Sequence, residues 1–330
     1  MFDHTRRADL HLHSTASFDV PDLPTLRPRA LFEKALGGHA AGRRMDWFVL
    51  TDHDTLAGYE RLVRELSEAD RRLVIPAVEH TLRDAAVGFT IHANLYGIDP
   101  DTYAELQRRV RTLDELLAFC GERGVWCQYN HPTWWERKEL RRGRVDFAMV
   151  PRVAERFAVL ELNASRTPAQ NLVTVSLAEE LGLPLSAGSD SHTGDVGRAW
   201  TAAPGDDWRA FLDAVWRGEG TTHVESLSYA SLLHEASTVI DDFLDQQVGD
   251  GAGRAPRHQG QAWLEALATR VVTAGWVRRH PRRREALRRL LKRASRPIMR
   301  TILGHERRLE ARIAASSLSA YLYPSRRRVA

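Results

Sequence analysis

The chain reads as an α/β protein with a largely parallel sheet, closed as a barrel or left open, followed by a helical extension. Over the first 224 residues short β-rich runs alternate with helical runs, and strands separated by helices favour parallel pairing. Residues able to bind a metal recur at the C-terminal ends of those runs, the face on which β/α barrels build their sites. Beyond residue 224 the alternation stops and Arg-rich helical sequence takes over.

ADLHLH, DWFVLTDH, LVIPAVEH and FTIHANLYG are rich in the branched and aromatic residues that suit strands, and VWCQYNHP, FAVLELNA, LPLSAGSDSH and GRAWTAAP continue the series. Helices are expected at Arg29–Leu36, Leu56–Ala69, Thr102–Arg123, Pro151–Arg156, Pro168–Leu181 and Asp207–Arg217. The 3.6-residue period is clearest in TYAELQRRVRTLDELLAF, which predicts one continuous helix. GDGAGRAPRHQG, residues 249–260, has the Gly/Pro content of a linker. Three helices are expected around and after it, at Ala262–Arg279, Pro281–Ala294 and Pro297–Ser316. The chain thus divides into a unit over 1–224, a connecting stretch over 225–260 and a basic extension over 261–330.

With 43% hydrophobic and 27% charged residues, the 330-residue chain has the composition of a soluble globular protein. No run approaches the roughly 18 apolar residues of a membrane span, and MFDHTRRADLHLH lacks the apolar core of a secretory signal. A cytoplasmic address is expected, with Cys120 and Cys127 as free thiols. The net charge of +4 conceals an asymmetry: residues 1–224 hold 27 Lys and Arg against 33 Asp and Glu, and residues 225–330 hold 20 against 10. An acidic front and a basic back suit different partners. The back is expected to serve attachment rather than chemistry, packing on the front unit or on a second subunit, either as a solvated helical cap or as a basic surface for nucleic acid or an acidic membrane.

His11 and His13 lie two residues apart in a strand, so both imidazoles face the same way. Asp190 and His192 repeat that spacing in GSDSH. His53, Glu79, His92 and His131 each sit in or at the end of another strand, and Glu79 ends an apolar strand where a carboxylate needs a partner. Mixed nitrogen and carboxylate donors suit zinc, iron or manganese. The donors outnumber what one ion coordinates, so the site is expected to hold several ions, an arrangement suited to phosphoryl chemistry. His80, adjacent to Glu79, faces the opposite side. Asp52 and Asp54 are read as groups orienting His53 or as turn residues. Arg166 and Arg198 follow strands of the same face, as phosphate clamps or as surface ion-pair partners. Of Trp134 and Trp135, one is expected in the core and one partly exposed. The remaining histidines (His4, His39, His223, His234, His258, His280, His305) are read as surface residues.

In order, DLHLHSTASFD, LTDHD, PAVEH, IHANLYG, NHP and AGSDSH resemble the motifs of the PHP (polymerase and histidinol phosphatase) family over roughly residues 8–224. The resemblance implies a distorted seven-stranded β/α barrel and three divalent or transition metal ions (Zn, Mn or Fe). It implies one metal on His11, His13, Glu79 and Asp190, a second on Glu79, His92 and His131 with Glu79 bridging, and a third on Asp19, His53 and His192. The sequence departs from many relatives at Val20, where an Asp-Gly pair is usual.

The expected function is a metal-dependent phosphoesterase acting on a small phosphorylated substrate, nucleotides among them, by attack of a metal-activated hydroxide. Glu79 and Asp190 are the expected catalytic residues, and Arg166 and Arg198 the expected substrate-binding ones. The alternative is a nuclease acting on nucleic-acid ends and using RRHPRRREALRRLLKR to hold the backbone. A non-catalytic metal-dependent binding module is a third reading, against which the complete donor set argues.

Overall fold

The computed structural model describes residues 5–38, 43–249 and 280–322. Its strands are β1 (Thr5–Ala8), β2 (Phe48–Val49), β3 (Val74–Ile75), β4 (Ala77–Arg83), β5 (Thr90–Tyr96), β6 (Trp126–Tyr129), β7 (Leu160–Asn163), β8 (Leu185–Gly188), β9 (Ala199–Pro204) and β10 (Thr221–Val224). The helices before the linker are α1 (Pro28–Gly37), α2 (Ala57–Glu65), α3 (Glu68–Arg71), α4 (Pro100–Arg109), α5 (Leu113–Arg123), α6 (Arg137–Arg141), α7 (Met149–Ala154), α8 (Pro168–Leu181), α9 (Trp208–Trp216) and α10 (Tyr229–Gly249). After it come α11 (Pro281–Ala314) and α12 (Ser319–Leu322).

The α/β expectation holds, and the pairing is more mixed than expected. Ladders among the described residues form a five-stranded sheet in the order β4-β5-β6-β7-β8, a three-stranded sheet β1-β9-β10 and a pair β2-β3. Within the five-stranded sheet β4, β5 and β6 are antiparallel neighbours, while β6, β7 and β8 run parallel. The six residues between β4 and β5 are too few for a parallel crossover and leave a hairpin as the available connection.

The three sheets meet through single backbone bonds. Leu10 N donates to Ala187 O at 3.4 Å and Asp190 N to His11 O at 2.8 Å, joining the chain beyond β1 to the chain beyond β8. Thr51 N donates to Leu12 O at 2.8 Å, and Asp54 N to Glu79 O at 2.9 Å. Apart from Glu79 and His92, which lie in the β4–β5 ladder, the candidate ligands are carried on segments tied together by isolated bonds beyond the regular ends of their strands.

Three helix expectations change: the helix over 56–69 is divided into α2 and α3, with Leu66 extended between them and Ser67 capping α3. The continuous helix over 102–123 is two helices, because Val110 is extended and Thr112 starts α5 with a capping box closed by Glu115. The separate helices at Pro281–Ala294 and Pro297–Ser316 are the single helix α11, with Pro297 inside it. An interior proline removes a backbone bond, but both flanks are anchored. Lys292 and Arg288 pair with Asp241 of α10 at 2.6 and 3.0 Å, and Leu309 and Ile313 are buried. The linker and the helix expected at Ala262–Arg279 lie outside the described residues, apart from Gly249, which ends α10.

Leu309 and Ile313 share an apolar cluster with Leu318 and Tyr321, with Val173 and Leu177 of α8, and with Leu106, Leu116 and Phe119 of α4 and α5. The extension is thus packed onto the α/β unit. Among the described residues no helix is long and apolar enough to cross a membrane. Replacing Ile313, 1% exposed, by alanine should cost about 2–5 kcal/mol of stability, the range for truncating a buried aliphatic side chain. Chemical denaturation measures it, and a loss below about 0.5 kcal/mol would mean that α11 is not docked in solution.

Candidate metal centre

Each candidate ligand except Asp19, which lies in the loop between β1 and Pro24, is placed by a strand or by the chain that leaves one. His11 and His13 follow β1 on one face. Glu79 lies on β4 and His92 on β5, where the register sets Thr81 opposite His92. Glu79, two residues from Thr81, therefore shares the face of His92. His131 follows β6, and Asp190 and His192 follow β8. Among the described residues three non-glycines take positive φ, and two of them are His131 at 29° and Asp190 at 52°. That region is costly for a residue with a Cβ. Here it is held by bonds on the same backbone: His131 N donates to Glu161 Oε2 at 2.9 Å, and Asp190 N to His11 O.

All nine expected ligands come together. His11 Nε2 lies 3.1 Å from His13 Nε2 and 3.1 Å from Glu79 Oε2. Asp190 Oδ1 is 3.6 Å from His11 Nε2 and 3.4 Å from His13 Nε2. The other oxygen of Glu79, Oε1, is 3.0 Å from His92 Nδ1 and 3.2 Å from His131 Nε2. Asp19 Oδ2 sits 2.9 Å from His192 Nε2 and 3.3 Å from His53 Nε2, so Val20 does not keep Asp19 from its partners. His53 Nδ1 also approaches Glu79 Oε2 at 3.1 Å without forming a hydrogen bond.

These donors fit metal ions. Ligand atoms about 2.0 Å from a tetrahedral ion stand about 3.3 Å from one another, and the separations here cluster near that value. Glu79, His11 and His13 are 0% exposed. The buried Nδ1 atoms of His13 and His53 have no hydrogen-bond partner. Lone pairs of imidazole and carboxylate that converge in a dry site repel unless protons or cations lie between them.

The protonation pattern fits the same conclusion. Burial pushes the Glu79 carboxyl up, yet the imidazoles of His11, His53 and His92 hold it well below its usual range. Asp190 behaves likewise, its burial outweighed by His11, His13 and His192. Burial lowers His192, but the Asp19 carboxylate beside it carries it up to about 9. Burial depresses His131 despite Glu79, which leaves a neutral ring with a lone pair to offer. The raised pKa values of His11, His53 and His192 favour protons on these rings opposite the carboxylates when no metal is bound.

Several residues missing from the sequence-based set support the ligands. Glu161, fully buried, accepts from His11 Nδ1 at 2.7 Å and from the His131 backbone, fixing which His11 nitrogen faces the cluster. Asn130 Nδ2 donates to Glu79 Oε1 at 3.0 Å. Asp9 accepts from Ser189 N at 2.8 Å and Gly197 N at 2.9 Å, bracing the loop that carries Asp190 and His192. A carboxylate in an apolar strand was the signal for Glu79, and it applies equally to Glu161 in LELN. Asp52 and Asp54 do not reach the His53 ring in hydrogen-bond contact. Asp52 binds Ser14 N and Oγ at 2.6 and 2.8 Å, and Asp54 accepts from Thr81 N at 2.8 Å. His80 faces away as expected and meets the Tyr103 hydroxyl at 3.2 Å.

The two arginines diverge. Arg198 is 2% exposed. It pairs with Glu235 of α10 and donates to Ala164 O at 3.0 Å and Glu225 O at 3.2 Å, so both terminal nitrogens are engaged inside the protein. Arg166 lines a cavity and stands 3.5 Å from Glu306. Trp135 is buried at 2% exposure and Trp134 is half-buried, with its ring 4.7 Å from that of His92. His223, His234, His280 and His305 are exposed, and His4, His39 and His258 lie outside the described residues.

Residues 168–219 match the family model described as PHP-associated. No curated protein matches the chain. Among solved structures, PsfC from Pseudomonas syringae is similar at 20% identity and a TM-score of 0.48, covering 74% of this chain and 99% of that one. A two-domain protein from Bacteroides vulgatus, containing a predicted PHP-like metal-dependent phosphoesterase, is similar at 16% and 0.46, covering 67% and 65%. The lesion-specific endonuclease PfuEndoQ from Pyrococcus furiosus is similar at 16% and 0.43, covering 67% and 57%.

Two outcomes follow from the geometry. A Cβ at Gly188 would lie 2.2 Å from His11 Cβ and 2.8 Å from Glu161 Oε1. Gly188→Ala should therefore lower metal content and thermal stability together, as read by elemental analysis and a melting curve; full metal content would show that the strand end can yield. Metal loading at pH 7 must displace the proton that Asp19 holds on His192, because its raised pKa lies above that pH. Protons should be released, and apparent affinity should rise with pH until about 9. Calorimetry in buffers of different ionisation enthalpy measures the release, and equal heats in all buffers would contradict it.

Proposed function

We propose that the chain is a PHP-family metal-dependent phosphoric-ester hydrolase acting on phosphomonoesters, nucleotides among them; residues 168–219 match the family model described as PHP-associated. The observation that carries this reading is Glu79. It is fully buried, with one oxygen among His11, His13 and His53 and the other between His92 and His131. A carboxylate shared in this way suits adjacent ions, and adjacent ions suit phosphoryl chemistry.

Three metal ions, zinc, manganese or iron, are proposed: one on His11, His13, Glu79 and Asp190, one on Glu79, His92 and His131, and one on Asp19, His53 and His192. Bound there, they would polarise phosphoryl oxygens and acidify water. In the hydrolysis water contributes an oxygen to phosphorus, the ester P–O bond breaks, and the alcohol leaves with a proton. Glu79 has no solvent face and serves to hold the two imidazole groups apart at a fixed spacing. Asp190 has a side chain 12% exposed and accepts from Asn163 Nδ2 at 3.3 Å, which holds it as a carboxylate at the edge of solvent. Arg166 is the proposed phosphate-facing arginine. Arg198, engaged by Glu235 and two carbonyls, is assigned to fastening α10 rather than to substrate.

A distorted seven-stranded barrel is the proposed architecture of residues 1–224. It is supported by the backbone bonds that link β1 to the β2 and β8 runs and the β2 run to β4. Residues 225–260 then connect to the basic extension over 261–330. All nine proposed ligands lie between residues 11 and 192, inside the first unit.

His11→Ala and Asp190→Ala test the assignment. Each should lose metal and at least 100-fold in kcat/KM on a phosphomonoester such as p-nitrophenyl phosphate, with circular dichroism unchanged. Full metal content in both variants would remove these residues from the centre. A wild-type protein that is metal-loaded and inert towards every phosphoester tried would favour the binding-module reading.

A further inference from the structure

Beside the ligand cluster, a cavity of about 750 Å³ opens between the α/β unit and the extension. One wall carries Arg137, Arg141 and Arg166, and the other carries Arg308 and Arg312 of α11. Glu306 is the one carboxylate lining it among the described residues, and it is already engaged by Gln170 Nε2 at 3.0 Å and by Arg166. Among the described residues the other four arginines lining the cavity have no carboxylate partner. Arg308 contacts His305 at 3.1 Å and Arg312 the Leu140 carbonyl at 3.1 Å, neither of them an anion. The Nε of Arg166 is buried without a hydrogen-bond partner. Guanidinium groups converging on one hollow repel one another until an anion enters, and their planar forks suit phosphate or carboxylate.

The cavity shares a wall with the metal centre. Trp134 lines it and also packs against two proposed ligands, with ring centres 4.7 Å from His92 and 5.4 Å from His131. On the other side, the Arg166 backbone bonds Asn163, whose side chain touches Asp190. The volume falls in the range of small-ligand sites.

We propose that this cavity takes a second anionic group of the substrate, so that the ester hydrolysed is a small molecule with one phosphate at the metal centre and another anion among the arginines. The half-buried Trp134 between them offers a face to a planar group such as a base. The proposal rests on the phosphoesterase reading and gives α11 a part in substrate recognition, beyond the attachment role expected of the extension.

The test uses the full-length protein and the double variant Arg137→Glu/Arg308→Glu, one charge reversal on each wall, both at exposed positions. The metal-loaded proteins are assayed on a nucleoside bisphosphate and on p-nitrophenyl phosphate, and binding of the bisphosphate to chelator-treated protein is measured by calorimetry. The variant should lower the ratio of kcat/KM for the bisphosphate over p-nitrophenyl phosphate at least tenfold, and should weaken binding to the chelator-treated protein at least tenfold. An unchanged ratio and unchanged binding overturn the proposal while leaving the hydrolase reading in place. Arginine-dependent binding without turnover of either ester upholds the cavity and overturns the hydrolase reading. Charge-reversal effects on a single-stranded oligonucleotide but not on the bisphosphate overturn the small-molecule assignment.

Discussion

Glu79 is a carboxylate with no exposed surface, and the arrangement around it follows from the need to balance its charge. An unpaired buried carboxylate is too costly to keep ionised. Four of the elements that surround Glu79 answer with nitrogen: His11 and His13 after β1, His53 after β2, His92 on β5 and His131 after β6. Since neutral imidazoles alone do not neutralise it, the balance must come from protons or metal ions. The same requirement extends outward, because Asp190 and Asp19 add charge that the same group of histidines must meet.

Bringing those donors within about 3.3 Å of each other, the spacing set by a tetrahedral ion, is incompatible with regular strands running on. Glu79 and His92 sit within the β4–β5 ladder, but the other ligands lie beyond the ladders, where the chain is held by isolated bonds such as Asp190 N to His11 O at 2.8 Å and Thr51 N to Leu12 O at 2.8 Å. His131 and Asp190 take left-handed backbone, a conformation that persists where neighbouring bonds over-determine it. Glycine is needed where backbones come closest. At Gly58 an added Cβ would lie 2.0 Å from Asp52 Oδ2, the carboxylate that fixes Ser14. Local irregularity and the metal centre are thus two aspects of one constraint.

This explains which features were legible in the sequence. The i, i+2 spacing of His11 with His13 and of Asp190 with His192 is a property of extended chain and survives the loss of ladder pairing. The burial of Glu79 is implied by its apolar surroundings, and the same cue in LELN marks Glu161. Pairing direction was not encoded in the alternation of strands and helices: β4 and β5 are joined by a short hairpin, and β6 opposes β5 despite two intervening helices. Local capping decided the break between α4 and α5, where Thr112 and Glu115 outweigh the apolar period. The proximity of Arg198 to the GSDSH loop was visible, but its engagement with Glu235, 37 residues later, was not.

The basic extension shows how charge can be sorted on one helix. Along α11, Glu306 and Glu310 form one stripe at i, i+4, Leu309 and Ile313 a second, and Arg308 and Arg312 a third. The apolar stripe is buried in the core shared with α8. The acidic stripe is spent on docking, with Glu306 against Gln170 and Arg166 and Glu310 against the Thr167 hydroxyl at the start of α8. With Glu306 and Glu310 turned to the start of α8, Arg308 and Arg312 face Arg137, Arg141 and Arg166 across the cavity, while Arg288 and Lys292, nearer the start of α11, pair with Asp241 of α10. The order of residues along α11 therefore keeps positive charge beside Trp134 and the histidines it touches.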